Sequence, residues 1–188
     1  DDPQVATTAN GLAIALFQLK RFEASVAMHS RALAIREKVF GPGSSSVAQS
    51  LNNLSSVYVE LGRFAEAEAA LLRAAAIWEK NLLPGHRRIG VARMGLADLY
   101  LRRGEAARAE PLLRSSVALF ERALGPEHPQ LAIALQSLAD CLVALGRREE
   151  SRPLCARALA IREKVLGVAD PLTVATRQAC GDSGAATS

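Results

Sequence analysis

The chain has 188 residues, 49% of them apolar but only 4% aromatic, and carries a formal charge of +4 from 23 basic and 19 acidic side chains. A core of that composition is built from Leu, Ala, Val and Ile, which suits closely packed helices and suits strands poorly. The mild charge argues against a nucleic-acid surface, and no run of 18 apolar residues offers a membrane span.

Asp2-Pro3 opens a first helix, with Asp as the cap and Pro where its missing N–H costs nothing. Val5, Leu12, Ala13 and Leu16 give that helix one apolar stripe. Lys20-Arg21 marks a reversal, and a second helix runs from about 22 to 39, ending in basic residues and Gly41. The pattern then returns. Ser44 caps a helix over about 45–61, Gly62 turns the chain, and a partner helix covers about 64–81 with Trp78 near its end. Further pairs are predicted at about 87–103 and 106–123 around Gly104, and at about 129–145 and 148–165 around Gly146. Pro111 and Pro153 share one phase in the second helices, about one turn in, where the lost hydrogen bond costs least.

The period is 42 residues. Leu12, Leu54, Leu96 and Leu138 share a phase, as do Ile35, Ile77, Leu119 and Ile161, and Glu37, Glu79, Glu121 and Glu163. A strict period with one helix pair per unit predicts an all-α fold, a right-handed superhelical α-solenoid of antiparallel hairpins. The repeats are placed at about 3–41, 45–83, 87–125 and 129–167, with a partial fifth at 171–180 capping the last hairpin. One array is thus expected over 1–180, and a disordered tail over 181–188. The start at Asp1, in phase with mid-loop, is read as the edge of a longer array.

Leu-Asn-Asn-Leu, Leu-Gly-Arg-Phe and Ala-Glu-Ala in 51–74, the Leu-Gly-Pro-Glu-His-Pro linker at 124–129 and the Leu-Ala-Ile-Arg-Glu-Lys helix ends at 33–38 and 159–164 resemble the tetratricopeptide repeat. The long period is similar to the subclass found in kinesin light chains and bacterial relatives. The resemblance implies that first helices line an inner face and second helices an outer one. Projected from the family, that inner face carries Asn10, Ile14 and Phe17 in repeat one, and Gln49, Asn52, Asn53 and Ser56 in repeat two. It carries Val91, Met94, Asp98, Leu101 and Arg102 in repeat three, and Gln136, Asp140 and Val143 in repeat four. Chaperone-binding members grip a terminal carboxylate with basic residues here. Thr7, Asn10, Gln49, Asn53 and Val91 do not rebuild that clamp, and Arg102 alone does not replace it.

One phase stands out: Asn10, Asn52, Met94, Gln136 and Gln178. Four of the five are amides, each offering a donor and an acceptor. The expected role is to grip the backbone of an extended peptide, with apolar pockets between; the alternatives are an inner face that merely stays hydrated, or amides that bond to one another between repeats. Seven arginines against three acids in 86–114 form either an ordinary solvated face or a seat for an acidic protein segment, while nucleic acid is not expected. The chain is therefore read as a non-catalytic scaffold binding a peptide or protein segment. The rival reading is a structural, oligomerising or regulatory arm of a larger enzyme or signalling ATPase.

Cofactors, metals and catalysis find no motif. His29, His86 and His128 lie far apart, and none sits at metal-ligand spacing from a cysteine. Three cysteines with no C-x-x-C pair point to free thiols in a reducing, cytoplasmic setting. Cys141 and Cys155, placed on one hairpin, are expected to act as small hydrophobes.

Overall fold

The computed structural model describes residues 2–182. Nine α-helices and no strands are found among them: α1 (Pro3–Gln18), α2 (Phe22–Phe40), α3 (Ser45–Glu60), α4 (Phe64–Asn81), α5 (Arg87–Arg102), α6 (Ala106–Leu124), α7 (Pro129–Ala144), α8 (Arg148–Leu166) and α9 (Pro171–Asp182). This is an all-α solenoid of antiparallel hairpins. Predicted boundaries hold to within a residue or two. At the C-terminal end the helix continues through Gly181 and Asp182, two positions expected to belong to the tail. The remaining positions of the expected tail, 183–188, lie outside the described residues.

The caps repeat with the sequence period. Asp2, Ser44, His86, His128 and Asp170 each accept a backbone N–H at the start of α1, α3, α5, α7 and α9. These side chains satisfy donors that a helix start leaves without partners. His86 and His128 do so through Nδ1, so the two loop histidines are caps.

The turn inside each hairpin is also uniform. The N–H of Arg21, Arg63, Glu105 and Arg147 donates back to the carbonyl of Leu16, Tyr58, Tyr100 and Leu142, each at 2.8 Å. That closure needs a left-handed residue just before it. Gly62, Gly104 and Gly146 supply it with φ of 70°, 76° and 76°, and Lys20 does the same at φ 57°.

The chain divides into two compact units, Asp1–Pro84 and Gly85–Ser188. In the first, α1 packs on α2, α2 on α3 and α3 on α4. Its core includes Ala13, Ala32, Val47, Leu51, Val57, Ala67 and Leu71. In the second, α5 packs on α6, α6 on α7, α7 on α8 and α8 on α9. Leu99, Leu113, Phe120, Leu131, Leu135 and Leu142 are its most enclosed large side chains. Small residues at one phase, Ser25, Ala67, Ala109 and Ser151, are all fully buried, which lets paired helices approach closely. Pro111 and Pro153 sit on exposed faces of unbroken helices. Tyr100 is buried and Tyr58 half-buried, with Arg108 and Arg63 lying over their rings at 3.9 and 4.6 Å.

The glutamate phase has a structural use. Glu37 binds Arg73 from α4, and Glu121 binds Arg157 from α8, so each pair joins second helices of successive hairpins. A mesh of Glu110, Arg114, Arg147 and Glu150 adds to this between α6 and α8. The arginines hold the Glu110 carboxyl below its ordinary pKa, Arg114 foremost.

One expectation is overturned. Cys155 of α8 and Cys180 of α9 form a disulfide, so Cys155 is neither free nor paired with Cys141. The stub of the fifth repeat lies against α8 and brings Cys180 to it, a contact that the sequence separation of 25 hides. Cys141 is the buried free thiol and donates to the Ala106 carbonyl at 3.3 Å. With one bridge formed and one thiol left over, the odd count no longer argues for a reducing setting.

Candidate functional site

Two cavities open on the faces built by first helices, one in each unit. In the first unit, Ile14 and Phe17 of α1 and Asn53, Ser56 and Val57 of α3 surround a space of about 130 Å³, with His29 of α2 beneath. In the second, Val91 and Met94 of α5 and Gln130 and Ile133 of α7 surround about 160 Å³, with Phe120 of α6 beneath. Each holds a group the size of one side chain. The plan is the same in both: two first helices form the rim, and one residue of the intervening second helix forms the floor.

Polar atoms mark both sites. His29 is 2% exposed and its Nδ1 has no hydrogen-bond partner. Burial, with the Arg36 charge second, lowers its pKa to about 4, so the ring is neutral at pH 7. Gln130 likewise has its Oε1 buried without a partner.

The residues singled out in sequence are brought together in pairs and short chains. Gln49 donates to Asn53 at 2.9 Å, and Asn53 donates to Asn10 at 3.0 Å, which ties α3 to α1. Gln136 donates to Asp140 at 2.8 Å. Asp140 is solvent-reached as a side chain, yet the protein packed about its carboxyl raises its pKa, with Gln136 and Arg162 opposing. Asp98 and Arg102 form an exposed ion pair on α5. The Asn52 carbonyl accepts from Ser55 and Ser56, its amide side chain being half-buried. Met94 joins the second cavity, and Gln178 is exposed on α9. Asn10 and Gln136 of the amide row are thus engaged within the protein, with Asn53 and Asp140 and not with one another.

Most of the basic stretch is engaged as well. Arg102, Arg103, Arg108 and Arg114 are held by carboxylates, and Arg93 donates to Ser115. No group of three or more His, Cys, Asp or Glu capable of holding a metal occurs among the described residues. No helix among them is long and apolar enough to cross a membrane.

His29 and Val57 were not singled out as site residues in sequence. A signal for His29 was present: the same phase carries Leu71, Leu113 and Cys155, all buried, so a histidine there is a polar intruder in a core position.

Comparison with known proteins agrees with the repeat pattern. A tetratricopeptide repeat model matches residues 4–80 and again 88–164, and a second such model matches 52–119. Among solved structures, the nearly identical TPR-like repeats ascribed to a Podosopora anserina kinesin light chain superpose with a TM-score of 0.81 at 25% identity, over 97% of this chain and 87% of that one. BtubC (BKLC) from P. vanneervenii gives 0.78 at 22% identity, over 89% of this chain and 67% of that one. Aspartyl phosphate phosphatase F from Bacillus subtilis shares the fold at 0.80 and 14% identity, over 95% of this chain but 44% of its own. Among curated proteins, none matches the chain.

Proposed function

Because the chain belongs to the tetratricopeptide repeat family, we propose that it is a non-catalytic interaction module that takes an extended peptide or protein segment across its first helices. The observation that carries this reading is the pair of side-chain-sized cavities, each between two first helices. A peptide offers such sites apolar side chains and hydrogen-bonding groups in alternation. In the first unit we assign backbone contacts with such a segment to Asn52, Asn53 and Ser56, with Asn10 and Gln49 beside them; in the second we assign them to Gln136, with Met94, Asp98, Arg102, Asp140 and Gln178. An acidic segment has less to attract it than the count of arginines suggests, since carboxylates already engage four of the seven.

The test is capture of partners from lysate by the full chain beside two variants, Ser56→Phe and Met94→Trp, which fill one cavity each. Partners retained by the full chain and lost with either variant support the reading. Identical capture by all three proteins would sink it.

A further inference from the structure

The junction of α8 with α9 carries sulfur where the repeat carries leucine. Cys155 and Cys180 are separated by 25 residues. One repeat earlier the same two phases hold Leu113 of α6 and Leu138 of α7, at 1% and 2% exposure. The phase of Cys180 is leucine in every preceding first helix, at 12, 54, 96 and 138. The bridge therefore occupies a core position of the repeat, with a covalent bond in place of a leucine pair.

The rest of α9 is poorly made for that junction. Thr173 stands where the earlier first helices carry Val5, Val47, Ile89 and Leu131, and Arg177 stands where α3 and α7 carry Leu51 and Leu135. Thr173 and Thr176 are buried in α9, while Leu172 is 60% exposed. The buried Thr173 hydroxyl has no partner, which costs stability rather than adding to it. Arg162 of α8 binds the Thr176 hydroxyl, and Arg177 forms an exposed ion pair with Glu163 at 2.6 Å. An exposed pair of that kind contributes little. Helix α7, by contrast, buries Leu131, Leu135, Leu138 and Leu142, and needs no bridge to hold it.

The two sulfurs also differ in access. Cys155 is 2% exposed, whereas Cys180 is half-buried. A thiolate arriving from solvent meets Cys180 first. Gln136 Oε1 lies 3.9 Å from Cys155 Sγ, placed to accept the S–H that reduction creates there.

We propose that the α8–α9 junction is a thiol-operated latch, with Cys180 as its modification site and a low-molecular-weight thiol as its co-reactant. The thiolate attacks Cys180 Sγ and forms a mixed disulfide there. The Cys155–Cys180 bond breaks, its electron pair leaves on Cys155 Sγ, and that sulfur takes a proton from water. A second small thiolate attacks the small-molecule sulfur of the mixed disulfide and releases Cys180, which is protonated in turn. One protein disulfide and two small thiols become two protein thiols and one small disulfide. Helix α9 then comes away from α8, while α5 to α8 stay folded on their own leucine core. Closing a loop of this length makes the bridge worth about a hundredfold or more in favour of the docked helix.

The test equilibrates the full chain in glutathione buffers of graded reduced-to-oxidised ratio. Amide exchange and mass mapping of cysteine adducts are read together. An adduct at Cys180 should precede any at Cys155. Exchange in α9 should quicken by about a hundredfold or more once the bridge is gone, with α5 to α7 unchanged. Cys180→Ser should leave α9 unprotected at every ratio. The double variant Cys155→Leu, Cys180→Leu rebuilds the leucine pair of 113 and 138, and should keep α9 protected at every ratio. Protection of α9 that survives reduction, or a loss that spreads through α5 to α7, overturns the latch. A first adduct at Cys155 overturns the modification site. A bridge that yields to thiol only when the whole chain unfolds overturns both.

Discussion

Lys20 and Gly62 hold the same place in successive hairpins and nearly the same backbone conformation, φ 57° and 70°. A lysine has a Cβ that crowds the carbonyl there, and glycine does not. We expect Lys20→Gly to stabilise the first unit by about 0.5–1 kcal/mol, the relief of crowding being partly offset by glycine's larger unfolded-state entropy. Urea denaturation of the full chain measures it. No change, or a loss, would show that the turn tolerates the side chain without strain.

His29 makes stability depend on pH. Its native pKa is depressed to about 4 from an ordinary 6.5. The unfolded chain therefore takes up a proton as pH falls through 6.5, while the native state does not until about 4. Stability is full above that window and falls across it, by at most ~3 kcal/mol from this group. Leucine at this position, as at 71 and 113, removes both the titration and the unpartnered Nδ1. We expect His29→Leu to lose this contribution between pH 7 and 5, read from urea midpoints at the two pH values. An unchanged difference between them would contradict the assignment.

Ser25 and Ser151 occupy one phase with opposite consequences. Ser25 Oγ donates to the Ala13 carbonyl at 2.7 Å, whereas Ser151 Oγ is buried with no partner. Alanine stands at this phase in the other two hairpins. We expect Ser25→Ala to cost about 1 kcal/mol and Ser151→Ala to be neutral or stabilising. The thermal unfolding temperature should fall for Ser25→Ala and should not fall for Ser151→Ala.

Gly90 stands where Ala6, Ala48 and Ala132 stand in the other first helices. A Cβ there would lie 2.7 Å from Phe120 Cε1. The Phe120 ring is fully buried and would have to shift toward the second cavity to make way. We expect Gly90→Ala to cost about 1–3 kcal/mol by overpacking, and a second change, Phe120→Leu, to recover part of it. Additive losses in the double variant would show that the two positions are not coupled.

The repeat, the helix pairs and the Ser44 cap were legible because each follows from local chemistry repeated at a fixed step. The period also made Lys20 stand out, though not its left-handed conformation. The Cys155–Cys180 bridge was not legible, because it depends on how α9 settles against α8. Spacing alone had instead suggested Cys141 as the neighbour. The amides at 49, 53 and 10 were visible as a polar set, but their bonding to one another is a matter of side-chain reach across two helices. His29 was readable as a histidine in a leucine phase. That it leaves Nδ1 without a partner beside a cavity required the packing of three helices together.

The bridge at the C-terminal end also decides how the chain would transmit a pull. Tension applied beyond Cys180 passes straight into Cys155, so the segment between them, which holds the end of α8 and most of α9, carries none of it. With a sequence separation of 25 and Cα atoms 5.6 Å apart, the oxidised chain would extend about 80 Å less on forced unfolding than the reduced one. Oxidation thereby moves the point where force meets the repeat stack from the last helix to the interior of α8.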